Sequence, residues 1–446
     1  MTTTKQDAIQ LLDIFDPEMA DLLHREERRQ FETISLIASE NIVSPLAACL
    51  EGSVFTNKNT EGYPGKRFVG GCQLSDQAEL LAVERVKKVF GAEHANIQSG
   101  NATIANMAVL VALLNPGDTF MGLTLDNGGH LSHGAKFHFS GREFHALHYG
   151  VNKATERIDM EQVRQMALES KPKMIVTGAS SYPRTIDYQA FREICDEVGA
   201  YLWVDCAHDC GLIAGGAIPS PVPYADVVTM STQKTLRGPR GCGIILCREA
   251  IGTKIDRGVF PRLQGGPKGD MLAARGVLFL ELLQPEFKIY AKQVCANAKA
   301  LAEGCKDEGM RLITGGTDTH MVMIDVTPLI ENGFAAETLL GSVGIVANKN
   351  MIPYDALPPS MGSGLRIGSP TMTTRGAKED EMNHIGHLVG QTLIHKENFE
   401  MLEKIKREIH AIAISHPRFS PEWVPQKIRK TFEKMYCHES YENNYD

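Results

Sequence analysis

The chain reads Val227-Val228-Thr229-Met230-Ser231-Thr232-Gln233-Lys234-Thr235-Leu236-Arg237-Gly238-Pro239-Arg240-Gly241 across residues 227–241. The apolar, β-branched start of this stretch predicts a buried strand, and the Gly-Pro pair predicts a turn after it. A strand end that delivers one lysine into a cleft suits Schiff-base chemistry, because desolvation lowers the pKa of the amine and makes it nucleophilic. The alternative is a surface lysine in a basic turn, since Arg237 and Arg240 lie close by in the sequence.

Length and composition indicate a globular protein of two domains. The chain has 446 residues, 43% hydrophobic and 22% charged, and is too long for one ordinary core. Its formal net charge of −8 argues against a nucleic-acid coat or a binder of anionic membranes. No apolar run reaches the roughly 18 residues that a membrane span needs, and residues 1–7 lack an apolar signal core. The ten cysteines are scattered without a disulfide framework, so we expect reduced thiols in a cytoplasm.

Short apolar runs alternate with helical segments through the middle of the chain. Strands are predicted at 119–125, 174–176, 201–204, 226–228 and 243–246, and helices at 77–90, 105–114 and 191–198. This alternation predicts an α/β fold with a mostly parallel sheet, in which ligands bind beyond the carboxyl ends of the strands. Residues 180–182, 205–208 and 231–234 all fall at such ends, so we expect them to meet in one site.

The remaining segments predict the domain organisation. Glycines and prolines at 56–71 and 252–266 predict loops, and residues 34–42 end a strand or, more commonly, cap a helix. Helices at 271–283, 289–308 and 379–414 and a strand at 321–326 predict a second domain. We divide the chain into an arm (1–30), a large domain (31–285) and a small domain (286–446). The tail at 437–446 is expected to be disordered or bound to a partner.

Two carboxylates are candidates for chemistry. Glu61 lies in the glycine-rich loop at 56–71, where it is either solvated or faces a pocket as a general acid or base. Asp205 ends an apolar strand, and burial of a carboxylate there is costly unless it is paired. The expected partners of Asp205 are His208, three residues later, and an incoming cationic ligand.

Histidines and one arginine are candidates for ligand binding. His130, His133 and His138 could bind a metal, but no cysteine or carboxylate completes a zinc set at the usual spacing. The glycines before His130 suit stacking of its flat ring, so we predict no metal. Arg366 is either an edge-strand arginine or a clamp for a carboxylate. The small polar residues at 96–106 precede a helix and form either an anion cradle or a cap.

Six ordered motifs resemble the serine hydroxymethyltransferase family across about residues 10–415. They are Leu36-Ile37-Ala38-Ser39-Glu40-Asn41, Glu61-Gly62-Tyr63-Pro64-Gly65-Lys66-Arg67, Gly128-Gly129-His130-Leu131, Val204-Asp205-Cys206-Ala207-His208, Lys234-Thr235-Leu236-Arg237-Gly238-Pro239-Arg240 and Gln264-Gly265-Gly266-Pro267. The resemblance implies a fold-type I transferase that depends on pyridoxal 5′-phosphate (PLP). It implies a mostly parallel seven-stranded large-domain sheet, a smaller α+β C-terminal domain, and a homodimer or homotetramer with shared active sites.

The resemblance also implies the role of each site residue. The catalytic set is Lys234, Glu61, His130 and Asp205: Lys234 forms the Schiff base, Asp205 pairs with the pyridinium nitrogen, and His130 stacks on the ring. The cofactor-binding positions, with His208 on the phenolic-oxygen side, are Asn101, Ala102, Thr103, His130, Ser180, Asp205, His208, Ser231, Lys234, Gly265 and Gly266. The substrate-binding positions are Ser39, Glu61 and Arg366, with Glu61 contributed by the partner subunit. The folate-binding positions are Leu125, Gly129, Leu131 and Asn350.

The chain departs from the family pattern near the substrate. Asn101-Ala102-Thr103 replaces Ser-Gly-Ser, and Gln233 replaces the histidine before the lysine. Asn59 and Val69 stand where the family has tyrosines, and the loss of two rings leaves space. We therefore expect hydroxymethyl transfer between tetrahydrofolate and serine or a serine larger at Cα, such as 2-methylserine, which gives alanine.

Two other functions fit parts of the pattern. A folate-independent aldolase or transaldolase acting on β-hydroxy amino acids would not need the folate positions, which the chain retains. A PLP- or RNA-binding scaffold without catalysis would not need Lys234, Asp205, Glu61 and Arg366. We therefore expect small-molecule substrates, and neither a nucleic-acid nor a membrane partner.

Overall fold

The structure is a computed structural model that describes residues 5–436. Within the predicted arm, the chain forms two helices, Lys5–Phe15 and Pro17–Glu32. Asp16 starts the second one, because its carboxylate accepts a hydrogen bond from the Met19 amide (3.1 Å) and Pro17 follows in the first turn. The tail at 437–446, expected to be disordered or bound to a partner, lies outside the described residues.

Seven strands between residues 94 and 247 form one sheet. In spatial order they are His94–Asn96, Gly243–Cys247, Val227–Ser231, Tyr201–Asp205, Met174–Thr177, Thr119–Leu123 and His145–Tyr149. Gly243–Cys247 is antiparallel to both of its neighbours, and all other neighbouring pairs are parallel. The predicted α/β fold with a mostly parallel seven-stranded sheet is confirmed.

The sheet is covered on both faces because alternate residues of its strands enter two separate cores. Val228, Met230 and Leu246 pack on one side, whereas Val227 and Trp203 pack on the other. The helices that accompany the sheet are Gln73–Phe90, Ala102–Leu113, Met160–Ser170, Tyr188–Val198, Glu249–Val259 and Gly269–Leu282. Since the faces are buried, polar side chains at the carboxyl ends of the strands share one accessible edge.

The predicted loop at 252–266 is wrong in its first half, because residues 252–259 belong to the helix Glu249–Val259. A Cβ atom at Gly252 would lie 2.8 Å from the His94 ring, and one at Gly258 would lie 2.6 Å from the Ala108 carbonyl oxygen. These glycines allow the helix to pack closely and do not mark a turn.

Two further predictions of local structure need correction. The predicted helix at 379–414 is two helices, Glu379–Ile394 and Phe399–Ser415, because the Asn398 side chain caps the second by accepting a hydrogen bond from Met401 (3.1 Å). Residues 34–42 begin with a short strand and do not cap a helix. The strand is Ile34–Ser35, which pairs in parallel with Ile345–Val346.

A second sheet of four antiparallel strands lies in the C-terminal part of the chain. Its order is Arg311–Leu312, Met321–Asp325, Gly364–Gly368 and Asn348–Asn350. Its core is completed by the helices Pro285–Asp307, Gly333–Ser342, Glu379–Ile394 and Phe399–Ser415. This arrangement confirms the expected smaller α+β unit.

One helix joins the two cores. Pro285–Asp307 contributes Phe287 and Tyr290 to the core of the large sheet, and Leu301 to the second core. Ile34 packs in the second core, and Trp423 packs in the first. A segment near each end of the described chain therefore packs in the core formed mainly by the other half. The domain boundary at residue 285 stays a prediction.

Candidate active site

Lys234 lies three residues beyond the strand Val227–Ser231, at the carboxyl edge of the large sheet. The loop that carries it is held on two sides. The Lys234 carbonyl accepts a hydrogen bond from Asn41 Nδ2 (2.9 Å), and the Thr235 hydroxyl donates to the His208 carbonyl (2.7 Å). The position of the lysine is therefore determined by two neighbouring loops as well as by its own strand.

The environment of Lys234 favours the neutral amine. Burial lowers the pKa of Lys234 to about 8, Asp205 opposes this shift, and the charge of Arg366 adds to it. The amine forms no hydrogen bond or ion pair with another described residue. The amine is therefore deprotonated at a lower pH than an ordinary lysine, which favours its action as a nucleophile.

Asp205 is the last residue of the strand Tyr201–Asp205 and is held by three donors. Its Oδ2 contacts His133 Nε2 (3.0 Å) and accepts from Asn106 Nδ2 (2.8 Å), and its Oδ1 accepts from the Ala207 amide (3.0 Å). Burial raises the pKa of this carboxyl, but the hydrogen bond and charge of His133 outweigh it and hold the pKa well below its usual range. The site therefore contains a permanent negative charge. The prediction that His208 is the partner of Asp205 within the chain was wrong, because the partner is His133.

His130 and His133 lie beside this carboxylate. Their ligand atoms and that of Asp205 are all within 4.8 Å of one another, so a carboxylate distant in sequence completes a group that could hold a metal. His138 is elsewhere and caps the helix Phe139–Glu143. Burial, followed by the charge of His133, lowers the pKa of His130 to about 4. His130 is therefore an uncharged flat ring, which suits stacking, and the absence of a metal stays a prediction.

Arg366 lies in the strand Gly364–Gly368, which has neighbours on both sides. The edge-strand alternative for this arginine was wrong. Its Nη1 donates to the Ser180 carbonyl (2.7 Å), and its Nη2 donates to Asn348 Oδ1 (3.3 Å). Burial lowers the pKa of Arg366 to about 10, so it stays charged at neutral pH, and it pairs with no carboxylate among the described residues. An uncompensated buried guanidinium attracts a substrate anion.

His208 is buried against His320, a residue that the sequence did not mark. His208 Nδ1 lies 3.2 Å from His320 Nε2, and the rings are within 22° of parallel. Burial holds the pKa of His208 well below its usual range, with the charge of Lys234 acting in the same direction. His208 is therefore neutral and can accept or donate a hydrogen bond at its remaining nitrogen.

The start of the helix Ala102–Leu113 combines a cap with features of an anion site. Asn101 caps the helix by accepting from the Ile104 amide (2.9 Å). The amides of Ala102 and Thr103 have no acceptor among the described residues, and the fully buried Ser99 hydroxyl has no partner there. Free amides at a helix start bind phosphate. Together with the Lys234 amine and the Asp205 carboxylate, these groups fit PLP. The Ser231 hydroxyl, in contrast, donates to the Ala207 carbonyl (3.1 Å).

The four positions predicted for folate border the Arg366 side of this edge. Leu125 and Leu131 are 40% and 36% exposed and lie on either side of Gly129. The Gly128 carbonyl accepts from the Ser180 amide (2.8 Å), and Ser181 donates to Asn350 Oδ1 (3.0 Å). Hydrogen bonds thus link Asn350 and the residue before Gly129 to the 180–181 segment, whose Ser180 carbonyl contacts Arg366.

Glu61 lies against the loop that carries Gly265 and Gly266. A Cβ atom at Gly266 would be 2.9 Å from the Glu61 amide nitrogen. Within the described chain, Glu61 forms no hydrogen bond or ion pair with Lys234, Asp205 or Arg366. Half-buried Ser39 follows Ala38, whose carbonyl lies against the His320 ring. Gln264, next to Gly265, accepts a hydrogen bond from the Gly100 amide (3.1 Å), so this loop also contacts the segment before the helix start at Ala102.

The residues that sequence reasoning missed as partners are Asn41, Asn106, His133 and His320. Asn106 is 99 residues from Asp205, and His320 is 112 residues from His208. No local pattern signals such a pair. Asn41 was part of a quoted motif, and a polar residue that ends an apolar run was the one available signal.

The described helices include none that is long and apolar enough to cross a membrane.

Comparison with known proteins identifies the family. The model of the family described as serine hydroxymethyltransferase matches residues 12–389. A relative named serine hydroxymethyltransferase from Koribacter versatilis is 50% identical over 404 residues, which cover 91% of this chain and 95% of the relative. Relatives with the same name from Coprothermobacter proteolyticus and Myxococcus xanthus are 51% and 49% identical; the matches cover 89% and 91% of this chain and 94% and 97% of the relatives. From these matches and from the buried lysine, carboxylate and arginine at one sheet edge, we conclude that the chain belongs to the serine hydroxymethyltransferase family.

Proposed function

We propose that this protein transfers a one-carbon unit between serine and tetrahydrofolate with PLP as cofactor, and that Lys234 is the amine to which the cofactor binds. Family membership supports the reaction and both small molecules. The single observation that carries the role of Lys234 is its buried amine of lowered pKa between Asp205 and Arg366. An amine whose pKa is lowered toward neutrality, and which interacts with the charges of Asp205 and Arg366, suits reversible attachment of an aldehyde cofactor.

The ionisable side chains at the sheet edge have different roles. PLP, when bound, supplies a conjugated ring that withdraws electrons from the bonds of the amino acid α-carbon. Asp205, held ionised by His133 and Asn106, would keep a proton on the ring nitrogen. His130, a neutral imidazole, would stack on the ring, and Lys234 would accept or return a proton near the α-carbon.

Substrate recognition follows from the second cluster of charge and hydroxyl groups. Arg366 binds the carboxylate of the amino acid, and Ser39 assists it. Arg366 forms an ion pair with no carboxylate of the described chain, so its charge is available to a substrate anion. Phosphate is held by Asn101, Ala102 and Thr103 through the free amides of the helix start. The remaining cofactor positions are Ser180, His208 and Ser231.

The shared site requires a second copy of the chain. Glu61, Gly265 and Gly266 reach the Lys234 cluster of a partner subunit, where Glu61 moves a proton between the substrate hydroxyl and folate. Family membership supports this arrangement, and Glu61 forms no hydrogen bond or ion pair with Lys234 within one described chain, so we propose a homodimer or a homotetramer built from it. Folate lies along Leu125, Gly129, Leu131 and Asn350. The nine free cysteines among the described residues support a cytoplasmic location.

A substrate larger at Cα is a second candidate. Asn59 and Val69 replace two tyrosines, and both lie beside Cys72, whose thiol is 3.6 Å and 3.3 Å from their carbonyl oxygens. They belong to the same segment as Glu61 and would enter the partner's site with it. The reduced bulk favours an α-substituted serine such as 2-methylserine.

Steady-state rates with serine and with 2-methylserine, each with and without tetrahydrofolate, test these functions together. One-carbon transfer that requires the folate supports the proposed reaction, and equal cleavage without folate would support an aldolase instead. A strong preference for serine over 2-methylserine would remove the second candidate without affecting the first.

A further inference from the structure

Two buried polar atoms face each other beside the active site without a hydrogen-bond partner. They are Oδ1 of Asp209 and Nδ1 of His320, which lie 3.7 Å apart. Neither atom has a hydrogen-bond partner among the residues that the structure describes. Because an unsatisfied buried polar group costs about 1–3 kcal/mol, two such atoms at ion-pair distance are best explained as partners of each other.

His320 connects Asp209 to the edge that carries Lys234. Its other ring nitrogen, Nε2, lies 3.2 Å from His208 Nδ1, and both rings are buried. The His208 carbonyl in turn accepts a hydrogen bond from Thr235, the residue after Lys234. Asp209, His320 and His208 therefore form a continuous row that ends at the active site.

We infer that Asp209 is a positioning residue that acts through His320 and determines which ring nitrogen of His208 carries the proton. The inference rests on the proposed function, in which His208 faces the phenolic-oxygen side of the cofactor. It deepens that function by adding a residue that lies outside the predicted site. Asp209 touches neither substrate nor cofactor in this account.

The surroundings of Asp209 allow it to change protonation near neutral pH. Burial raises the pKa of Asp209 to about 7, where Lys234 opposes the shift and Asp205 adds to it. The titratable groups that interact with it from the neighbouring elements are Lys234, Asp205, His320, Tyr188, Cys206, Cys210 and Cys295. The Ala38 carbonyl also lies against His320 and favours a proton on that ring.

The row has two proton arrangements that differ by one proton. With Asp209 ionised, His320 Nδ1 carries a proton at ion-pair distance from the carboxylate (3.7 Å), His208 Nδ1–H donates to His320 Nε2, and His208 Nε2 keeps a lone pair. Uptake of one proton at His208 Nε2 shifts a proton from His208 Nδ1 to His320 Nε2 and another from His320 Nδ1 to Asp209. His208 then presents Nε2–H as a donor. No oxidant, reductant or leaving group is involved.

Histidine NMR on the wild-type, cofactor-free protein tests this row directly. Burial lowers the pKa of His320 to about 3 and holds that of His208 well below its usual range, so neither ring gains a proton of its own between pH 6 and 8. We expect the ring ¹⁵N signals of His208 and His320, assigned with His208→Gln and His320→Gln, to shift together with one midpoint near neutral pH. Signals that stay constant, or that shift with separate midpoints, would overturn the inference.

Three variants separate positioning from a structural role. Asp209→Asn should abolish the shared ¹⁵N shift, remove the matching limb from the pH profile of kcat, and lower kcat about tenfold with KM for serine nearly unchanged. Asp209→Glu should retain the shift. Asp196→Asn, which alters an exposed carboxylate paired with Arg192, is the matched control and should titrate as the wild type does.

The outcomes distinguish this inference from the proposed function. An Asp209→Asn protein that titrates like the wild type would overturn the role of Asp209 and leave hydroxymethyl transfer intact. A wild-type protein without folate-dependent transfer would overturn the proposed function. The ¹⁵N spectra of the cofactor-free protein would still show whether His208 and His320 titrate together. If Asp209→Asn does not fold, the wild-type titration alone decides.

Discussion

Burial of the Lys234 amine lowers the stability of the folded protein. Its pKa of about 8 lies below the roughly 10.4 of an unfolded lysine. Between these values the unfolded chain binds more protons than the folded one, so stability rises with pH across this window. Below about pH 8 the folded protein must hold the charged amine in a buried position, and the full penalty applies.

Replacement of Lys234 should therefore stabilise the cofactor-free protein. We expect Lys234→Met, which retains an unbranched apolar stem, to raise the free energy of unfolding by on the order of 1–3 kcal/mol at pH 7. Denaturant midpoints of the cofactor-free proteins measure the change. Lys404→Met, at an exposed helix position, is the control and should change stability by less than about 0.5 kcal/mol. A Lys234→Met protein that is less stable than the wild type would contradict this reading.

At the scale of residues, the sequence predicted the members of the site better than their partners. Asp205 and Lys234 were expected at one sheet edge because each follows an apolar strand. The contact between Asp205 and His133, 72 residues apart, had no local signal. The row from Asp209 to His320 was unpredictable for the same reason: its pairing depends on how the second sheet packs against the first.

At the scale of elements, apolar runs predicted strands well, whereas glycine content was a poorer predictor of turns. The strand Val227–Ser231 was predictable because its residues are apolar or small. The structure buries all five of them. Gly252 was misread as a turn residue, because sequence alone does not separate a glycine that permits φ > 0 from one that permits close packing. The break before Phe399 was missed because the helical periodicity continues across it.

The long helix Pro285–Asp307 offers a test of close packing. A Cβ atom at Gly304 would overlap the Asn383 carbonyl oxygen of the helix Glu379–Ile394. Because a backbone atom cannot move aside cheaply, Gly304→Ala should lower the free energy of unfolding by about 2 kcal/mol or more. Gly341→Ala, at a helical glycine with no atom within 4 Å, should raise it by about 0.5–1 kcal/mol. Thermal unfolding of both variants is the measurement, and equal effects would contradict the packing argument.

At the scale of the whole molecule, the proposed site with Lys234 from one subunit and Glu61 from its partner predicts complementation between inactive chains. Lys234→Ala and Glu61→Gln proteins should each be nearly inactive. After unfolding and refolding as a mixture, half of the dimers are hybrids, and one of their two sites has an intact Lys234 and an intact partner Glu61. Activity should return to about a quarter of the wild-type value.

Each variant refolded alone is the control for this mixing experiment. A mixture that remains as inactive as its components would show that Glu61 and Lys234 act from the same chain. That result would contradict the shared site while leaving the role of Lys234 unaffected.

The central claim is that the amine of Lys234 is the attachment point of the cofactor. Reduction of the PLP-loaded protein with borohydride, followed by proteolysis and mass spectrometry, tests it most directly. We predict a stable phosphopyridoxyl label on the peptide that contains Lys234 and no label on any peptide of Lys234→Ala. A label on a different lysine, or a fully loaded wild-type protein that gains no label, would contradict the claim.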